Sequence, residues 1–314
     1  MNNRMEKFFS KMSRLSVWLV GILLLSLVVV SCRVDDVVSA PSSLVVEGWI
    51  EDQGFPIVKV TRSVSLGGDF VNLSELDHYV EHWAKVTVSD GEQEVILTGK
   101  YDKRYYPPFI YTTGFLRGKA GKTYRLTVDA PDGSHAEATT TIPAPAPIDS
   151  FRVEEVTVGD STMCQLYGYT AFRGPCKLFT RELMKETEFG SAYLGIYDST
   201  ALAKDGCMAI NRSRDGLSSG HFTPFFREGA QAYVKFVTLT PEGYRFWRGF
   251  EDMASLSRNP LFPMTDNLPG NVHGGLGCWL GYGAMYYVVK ASARQSDFFS
   301  RACSPDSPVG RPAY

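Results

Sequence analysis

KVTVSDGEQEVILT, residues 85–98, sets two strand-like runs, the alternating Lys85 to Ser89 and the β-branched-rich Glu94 to Thr98, on either side of Asp90-Gly91. A repeat of two is the period of a strand with one face buried, and Asp-Gly accepts the positive φ that a tight hairpin turn requires. The stretch therefore predicts two antiparallel strands, and it sets the class of everything around it. Ser43 to Ile50 and Ile57 to Thr61 are short, rich in β-branched residues and separated by the turn-forming Asp52 to Pro56 segment. Tyr124 to Val128 alternates again, turns at Pro131-Asp132-Gly133 and resumes as Ala136 to Ile142. Turn signals at these intervals suit an immunoglobulin-like or transthyretin-like β-sandwich over residues 43–142. Asn72-Leu73-Ser74-Glu75 has the form of a capping box, which predicts a short helix from Leu76 to Trp83 inside it.

Pro143-Ala144-Pro145-Ala146-Pro147 is stiff and poor in donors, so residues 143–148 are expected to be a joint between two domains. Ser150 to Val158, Cys164 to Phe172, Ala192 to Tyr197 and Ala230 to Leu239 have strand composition. At Thr240 the period changes. Thr240 can cap a helix and Pro241 suits its first position, after which Phe246, Trp247, Phe250, Met253 and Ala254 fall on one face. Gly277 to Tyr282 and Met285 to Ala291 complete the pattern as a strand pair. The expected fold is mainly β: the sandwich, then a second antiparallel β domain over residues 149–292 with one amphipathic helix near 241–255, and a tail over 293–314.

The N-terminus gives an address. Arg4, Lys7, Lys11 and Arg14 precede the uncharged run Leu15 to Val30, the order of a secretory signal over residues 1–31. That run would reach roughly 24 Å as a helix, short of the ~30 Å of a bilayer core. Val29-Val30-Ser31-Cys32 resembles the lipobox of bacterial lipoproteins, in which the cysteine is diacylated on sulfur and becomes the new N-terminus. Residues 32–42 would then be an acidic tether. In lipoproteins of Bacteroidota, acidic residues placed as Asp35 and Asp36 are here resemble an export signal to the outer leaflet of the outer membrane. Removing residues 1–31 takes four bases and one acid from the 32 and 34 of the whole chain, leaving 28 against 33, a mildly acidic surface. No basic patch suggests nucleic acid as a partner.

Beyond Cys32 stand Cys164, Cys176, Cys207, Cys278 and Cys303, an odd number for an oxidising compartment. Cys164 and Cys176 are the first candidates for a disulfide, whose loop would contribute about 3 kcal/mol if the geometry permits. No C-x-x-C or C-x-x-H pairing marks a zinc site.

Catalytic patterns are weak. Gly216-Leu217-Ser218-Ser219-Gly220 matches G-x-S-x-G, yet the hydrolase motif needs a strand before it and a helix after it. Here a polar turn precedes it and His221-Phe222-Thr223-Pro224 follows. His78 and His82, four apart, would share one side of a helix and could hold a metal, but a third ligand is missing and a solvated face is the plainer reading. The glycine-dense stretch Gly274 to Gly283 lacks the Gly-Lys-Ser/Thr ending of a phosphate loop. Aromatic residues in the Tyr101 to Tyr111 loop remain: Tyr105, Tyr106, Phe109 and Tyr111 could stack on sugars or a peptide, or fold back on the sandwich. No cofactor is expected.

Several segments together resemble one family. Leu44-Val45-Val46-Glu47-Gly48-Trp49-Ile50, Lys59 to Ser63, Tyr111-Thr112-Thr113-Gly114-Phe115, Gly121 to Tyr124, Tyr244-Arg245-Phe246-Trp247, Asn259-Pro260-Leu261-Phe262, Pro269 to Val272 and Gly274 to Gly277 with Gly281-Tyr282 are similar to the DUF4249 lipoproteins of Bacteroidota. The resemblance implies an outer-membrane lipoprotein often encoded beside TonB-dependent receptors, without agreed catalytic residues. The resulting expectation is a non-enzymatic accessory lipoprotein of a nutrient-uptake apparatus, binding a ligand or the receptor. Two rivals stand beside it. A fimbrillin-like structural subunit would need a cleavable basic site, for which only Arg33 is available, and an envelope hydrolase would need Ser218.

Overall fold

The computed structural model describes residues 42–63, 78–182, 189–213, 222–256 and 268–293. Cys32, Asp35, Asp36, the Asn72 to Glu75 cap, the Ser218 motif and Cys303 lie outside them. The described chain is mainly β with a single α-helix among the described residues.

One eight-stranded sheet organises it. In spatial order the strands are β12 (Gly190–Tyr197), β11 (Cys176–Glu182), β15 (Gln231–Thr238), β16 (Leu276–Lys290), β1 (Leu44–Glu51), β2 (Ile57–Arg62), β6 (Phe109–Thr112) and β5 (Thr98–Tyr101). Two four-stranded sheets lie on the same face of it. The first has the order β4 (Glu94–Ile96), β3 (Lys85–Ser89), β7 (Thr123–Asp129), β8 (His135–Thr141). It encloses Val86, Val88, Tyr124, Leu126 and Val128 with Val46, Ile50, Val58, Val60 and Trp279. The second joins β9 (Ser150–Val158), β10 (Ser161–Tyr169), β13 (Cys207–Ile210) and β14 (Phe226–Arg227). Its Phe151, Leu166, Ile210 and Phe226 pack on Leu178, Val234, Phe236 and Tyr287. The hairpin is as expected: β3 and β4 pair antiparallel, and Gly91 carries φ +87° at the turn.

Two cores therefore lie on this face of the sheet, but they are not separate domains. β16 reads as two strands in the sequence and is one, fifteen residues long, and it pairs antiparallel with β15 and parallel with β1. The expected joint at 143–148 is a crossover pinned to β16, to its neighbour β15 and to the end of β10. The Thr238 hydroxyl donates to Ala144 O (2.9 Å), that of Thr170 to Pro147 O (2.8 Å), and Ile148 N donates to the Tyr287 hydroxyl (2.7 Å). A Cβ on Gly281 would stand 2.6 Å from Thr141 O and one on Gly283 2.5 Å from Pro143 O. The glycines admit the crossing backbone instead of making a turn.

The opposite face of the sheet carries ion pairs among aromatic rings. Helix α1 (Pro241–Leu256) starts as the sequence suggests, with Gly243 N on the Thr240 hydroxyl (3.2 Å), and lays Phe246 against Leu239 and Leu280. Fully buried Lys177 meets Glu251 of the helix at 2.9 Å, and its Nζ stands 5.1 Å from the centre of the Trp247 ring. Burial pulls the Lys177 pKa down against the pull of Glu251. Further along, Lys235 meets Glu51 at 2.8 Å, and the Tyr286 hydroxyl donates to the same carboxylate.

The helix has a second tether. The Tyr244 hydroxyl donates to Asp198 Oδ2 (2.8 Å), while Oδ1 accepts from the Thr200 hydroxyl (2.6 Å) and from Thr200 N and Ala201 N. The bonds from Thr200 and then Tyr244 hold this carboxyl far below the usual carboxylate range. A lowered folded-state pKa stabilises above the ordinary value near 4 and ceases to do so as pH falls below it. An Asp198→Asn variant is expected to be less stable at neutral pH and to lose less between about pH 5 and pH 2, as thermal unfolding across that range will show.

The cysteine pairing is corrected. Cys164 and Cys176 are both buried and free. Cys176 aligns with Thr238 at one end of β15, which pairs with Gly283 midway along β16, whereas the Cys164 thiol reaches Ala291 O just past the end of β16 and donates to Glu228 at 2.8 Å. Seven residues of strand lie between those two points, about 23 Å, where a disulfide needs Cα atoms within about 7 Å. Burial pushes both thiols up to about 12, so neither is a ready nucleophile.

Candidate functional site

At the far edge of the eight-stranded sheet, where β5 and β4 diverge, the two sheets leave an open groove of ≈ 630 Å³. His82, Trp83, Ala84, Leu97, Gly99, Phe109 and Tyr111 line it. Phe109 and Tyr111 are two apart on β6 and so project from the same side of the strand. Their rings meet edge to face at 5.4 Å, and the His82 ring stands on Phe109 at 4.5 Å. Opposite them Gly99 has no side chain, and the Phe109 ring fills the space where one would stand.

Tyr111 also fixes the segment that forms the other wall. Its hydroxyl donates to Glu81 O (2.7 Å) and accepts from Ala84 N (3.1 Å), and burial pushes its pKa up to about 12. The chain between these bonds presents Trp83 to solvent at 83% exposure. A helix through Trp83, expected from the capping box, does not form at this end: Glu81 N donates to Val60 O (2.9 Å) and Val80 bridges Thr61. The nearby charges are consumed locally, Arg62 holding Glu81 at 2.9 Å and Asp132 at 3.0 Å. No carboxylate, lysine or arginine enters the lining.

Of the four aromatics expected to bind, the structure brings together two. Phe109 and Tyr111 line the groove. Tyr105 instead tilts on Trp49 at 6.0 Å, on the face of β1 that also carries Glu47 and Glu51, and the carbonyl of Tyr106 accepts from Lys59 (3.4 Å). Trp83 and Gly99 escaped the sequence reading, because no local spacing places them beside β6. His82, which the sequence offers with His78 as a metal pair or a solvated face, turns its ring to Phe109. Among the described residues no cluster of three or more His, Cys, Asp or Glu could hold a metal. The groove can grip a flat or apolar group between rings. His82 and the Tyr111 hydroxyl are its titratable groups, and that hydroxyl is taken up by Glu81 O and Ala84 N.

The sequence profile described as "Domain of unknown function (DUF4249)" matches residues 33–286, which is most of the chain and includes every residue of the groove. The chain belongs to the DUF4249 family. No curated protein matches it. Within this DUF4249 chain the segments that suggested the family are largely the framework of the sheet. Leu44 to Ile50 is β1, Gly274 to Tyr282 leads into and starts β16, and Tyr111 is the residue that staples the groove wall.

Proposed function

We propose that this DUF4249 protein is an accessory lipoprotein of a TonB-dependent nutrient-uptake system, anchored in the outer membrane through Cys32, which binds ligand or receptor and performs no chemistry. The observation that carries the reading is the open, uncharged aromatic groove, with Trp83 offered to solvent at its rim. Large exposed aromatic surface beside a preformed concavity marks recognition more often than packing. The acidic residues Asp35 and Asp36 after the lipidated position, together with the family, support placing that groove outside the cytoplasm.

The test is affinity isolation of the intact lipoprotein from outer membranes. A TonB-dependent receptor recovered with it supports the reading, and the protein recovered alone counts against it. Trp83→Ala is expected to weaken that capture at least ten-fold while leaving the unfolding midpoint where it was, because an exposed substitution moves stability by no more than about 0.5 kcal/mol. Mass spectrometry of the mature protein, showing acyl chains on Cys32 at a new N-terminus, tests the anchor separately.

A further inference from the structure

β5 is the last strand of the eight-stranded sheet, and all four of its residues are exposed. Its pairing with β6 runs Thr98 to Thr112, Gly99 to Tyr111, Lys100 to Ile110 and Tyr101 to Phe109, and on the next rung Asp102 N donates to Pro108 O at 2.9 Å. Bonded and non-bonded rungs alternate along an antiparallel ladder. Counting back from Asp102, Lys100 and Thr98 bond to β6, while the N–H and C=O groups of Gly99 and Tyr101 face away from it. Two donors and two acceptors thus stand at strand spacing along the rim of the groove. Proteins usually blunt such edges with proline, a bulge or a covering segment. β5 has no proline and its register is unbroken; the device it carries is the exposed Lys100, a charge that an acidic strand would meet favourably.

Charge adds a direction. From Thr98 to Arg104 the chain carries Lys100, Lys103 and Arg104 against Asp102 alone. Asp102 is buried and held by Arg104 through two side-chain bonds, with Lys100 3.9 Å from the same carboxylate, so the segment keeps a net positive charge and Lys100 and Lys103 are exposed beside the edge. The groove beside them is apolar and offers few side-chain hydrogen-bonding groups, so the polar groups at hand are those of the backbone edge. That set fits a peptide backbone better than a sugar. A second copy of this chain is disfavoured at this edge, because pairing β5 antiparallel with its equal through Gly99 and Tyr101 would set Lys100 against Lys100 of the other copy.

We propose that β5 receives an extended, acidic segment of a partner protein as a ninth strand, hydrogen-bonded to Gly99 and Tyr101, with one apolar side chain seated in the groove between Phe109 and Trp83. This deepens the accessory reading and rests on it for the identity of the partner, but the site itself is tested alone. Added strands gain affinity from main-chain bonds and specificity from pockets for alternate side chains, and both are present here.

The experiment uses the full lipidated chain in detergent and a ten-residue peptide alternating apolar and polar positions, with phenylalanine at its centre and glutamates at the polar sites. The expected result is binding with at least ten-fold slower amide exchange at Gly99 and Tyr101, and at least ten-fold weaker binding of the same peptide with lysines for glutamates. In a Lys100→Glu, Lys103→Glu variant that preference is expected to reverse. Binding without protection at those two amides, equal affinity for both peptides, a methyl pyranoside occupying the groove more tightly than the peptide, or dimerisation through β5 would each overturn the proposal. A receptor recovered from membranes with the Gly99 and Tyr101 amides unprotected would sink the edge and leave the accessory reading standing. Peptide binding as described with no receptor recovered would do the reverse.

Discussion

Lys235→Met is expected to lower the stability of the fold by about 3–5 kcal/mol, more than almost any other single change outside the two cores. Lys235 and Glu51 are both buried, one on β15 and the other on β1, and their 2.8 Å contact spans the intervening β16. The ammonium also stands 4.6 Å from the centre of the Phe179 ring and 5.5 Å from that of Phe189. Methionine fills the stem's volume but leaves the Glu51 carboxylate in the sheet with the Tyr286 hydroxyl as its partner and no cation. The penalty comes from that stranded charge and not from the loss of an intrinsically strong bond. Replacing the whole group, Lys235→Met with Glu51→Leu and Tyr286→Phe, is accordingly expected to recover all but about 1 kcal/mol. Denaturant unfolding of the single and triple variants at 25 °C measures both. A single-variant loss below about 1 kcal/mol would show that Glu51 reaches water or another partner on losing Lys235.

This pair also explains where the sequence could be read and where it could not. Asp90-Gly91 and Thr240-Pro241 were legible because a turn and a helix start are decided by neighbours in the chain. β11 was not, since Lys177, Arg181 and Glu182 break any apolar pattern, yet every residue of that strand is buried. Its charges are matched across the structure, Lys177 by Glu251, Arg181 by the ring of Tyr233 at 4.7 Å, and Glu182 by Arg212 at 3.2 Å. Glycines inside strand-like sequence signal a bulge or a close backbone approach, and only the path of residues 141–143 reveals what Gly281 and Gly283 make room for. The same limit applies to the groove. Phe109 and Tyr111 could be named from composition, whereas Trp83 and Gly99 join them through strand pairing that leaves no mark on local spacing. Cys164 and Cys176 are near in sequence, and opposite ends of a sheet separate them.

Trp279→Ala carries the other large expected effect, a loss of about 3–5 kcal/mol, and its form matters as much as its size. The indole is fully buried in the first core, rests against the backbone of Gly48 and donates to Tyr124 O at 3.0 Å. Trp279→Phe keeps most of the packing and loses only the indole's bond, since Tyr124 O keeps its ladder partner Thr140 N, so a smaller loss of about 1 kcal/mol is expected. Were the two halves independent domains, the alanine variant would melt the first half early and leave the second untouched, giving two transitions. β16 prevents this, because it carries Trp279 into one core and Tyr287 and Val289 into the other. Its hydrogen bonds to β1 and β15 are rungs of one sheet. A single transition shifted as a whole is therefore expected, with amide exchange quickening at Val234 and Phe236 in the second core as well as at Val86 and Leu126 in the first. Two resolved transitions, with Val234 and Phe236 as well protected as before, would mean that the shared strand does not couple the cores.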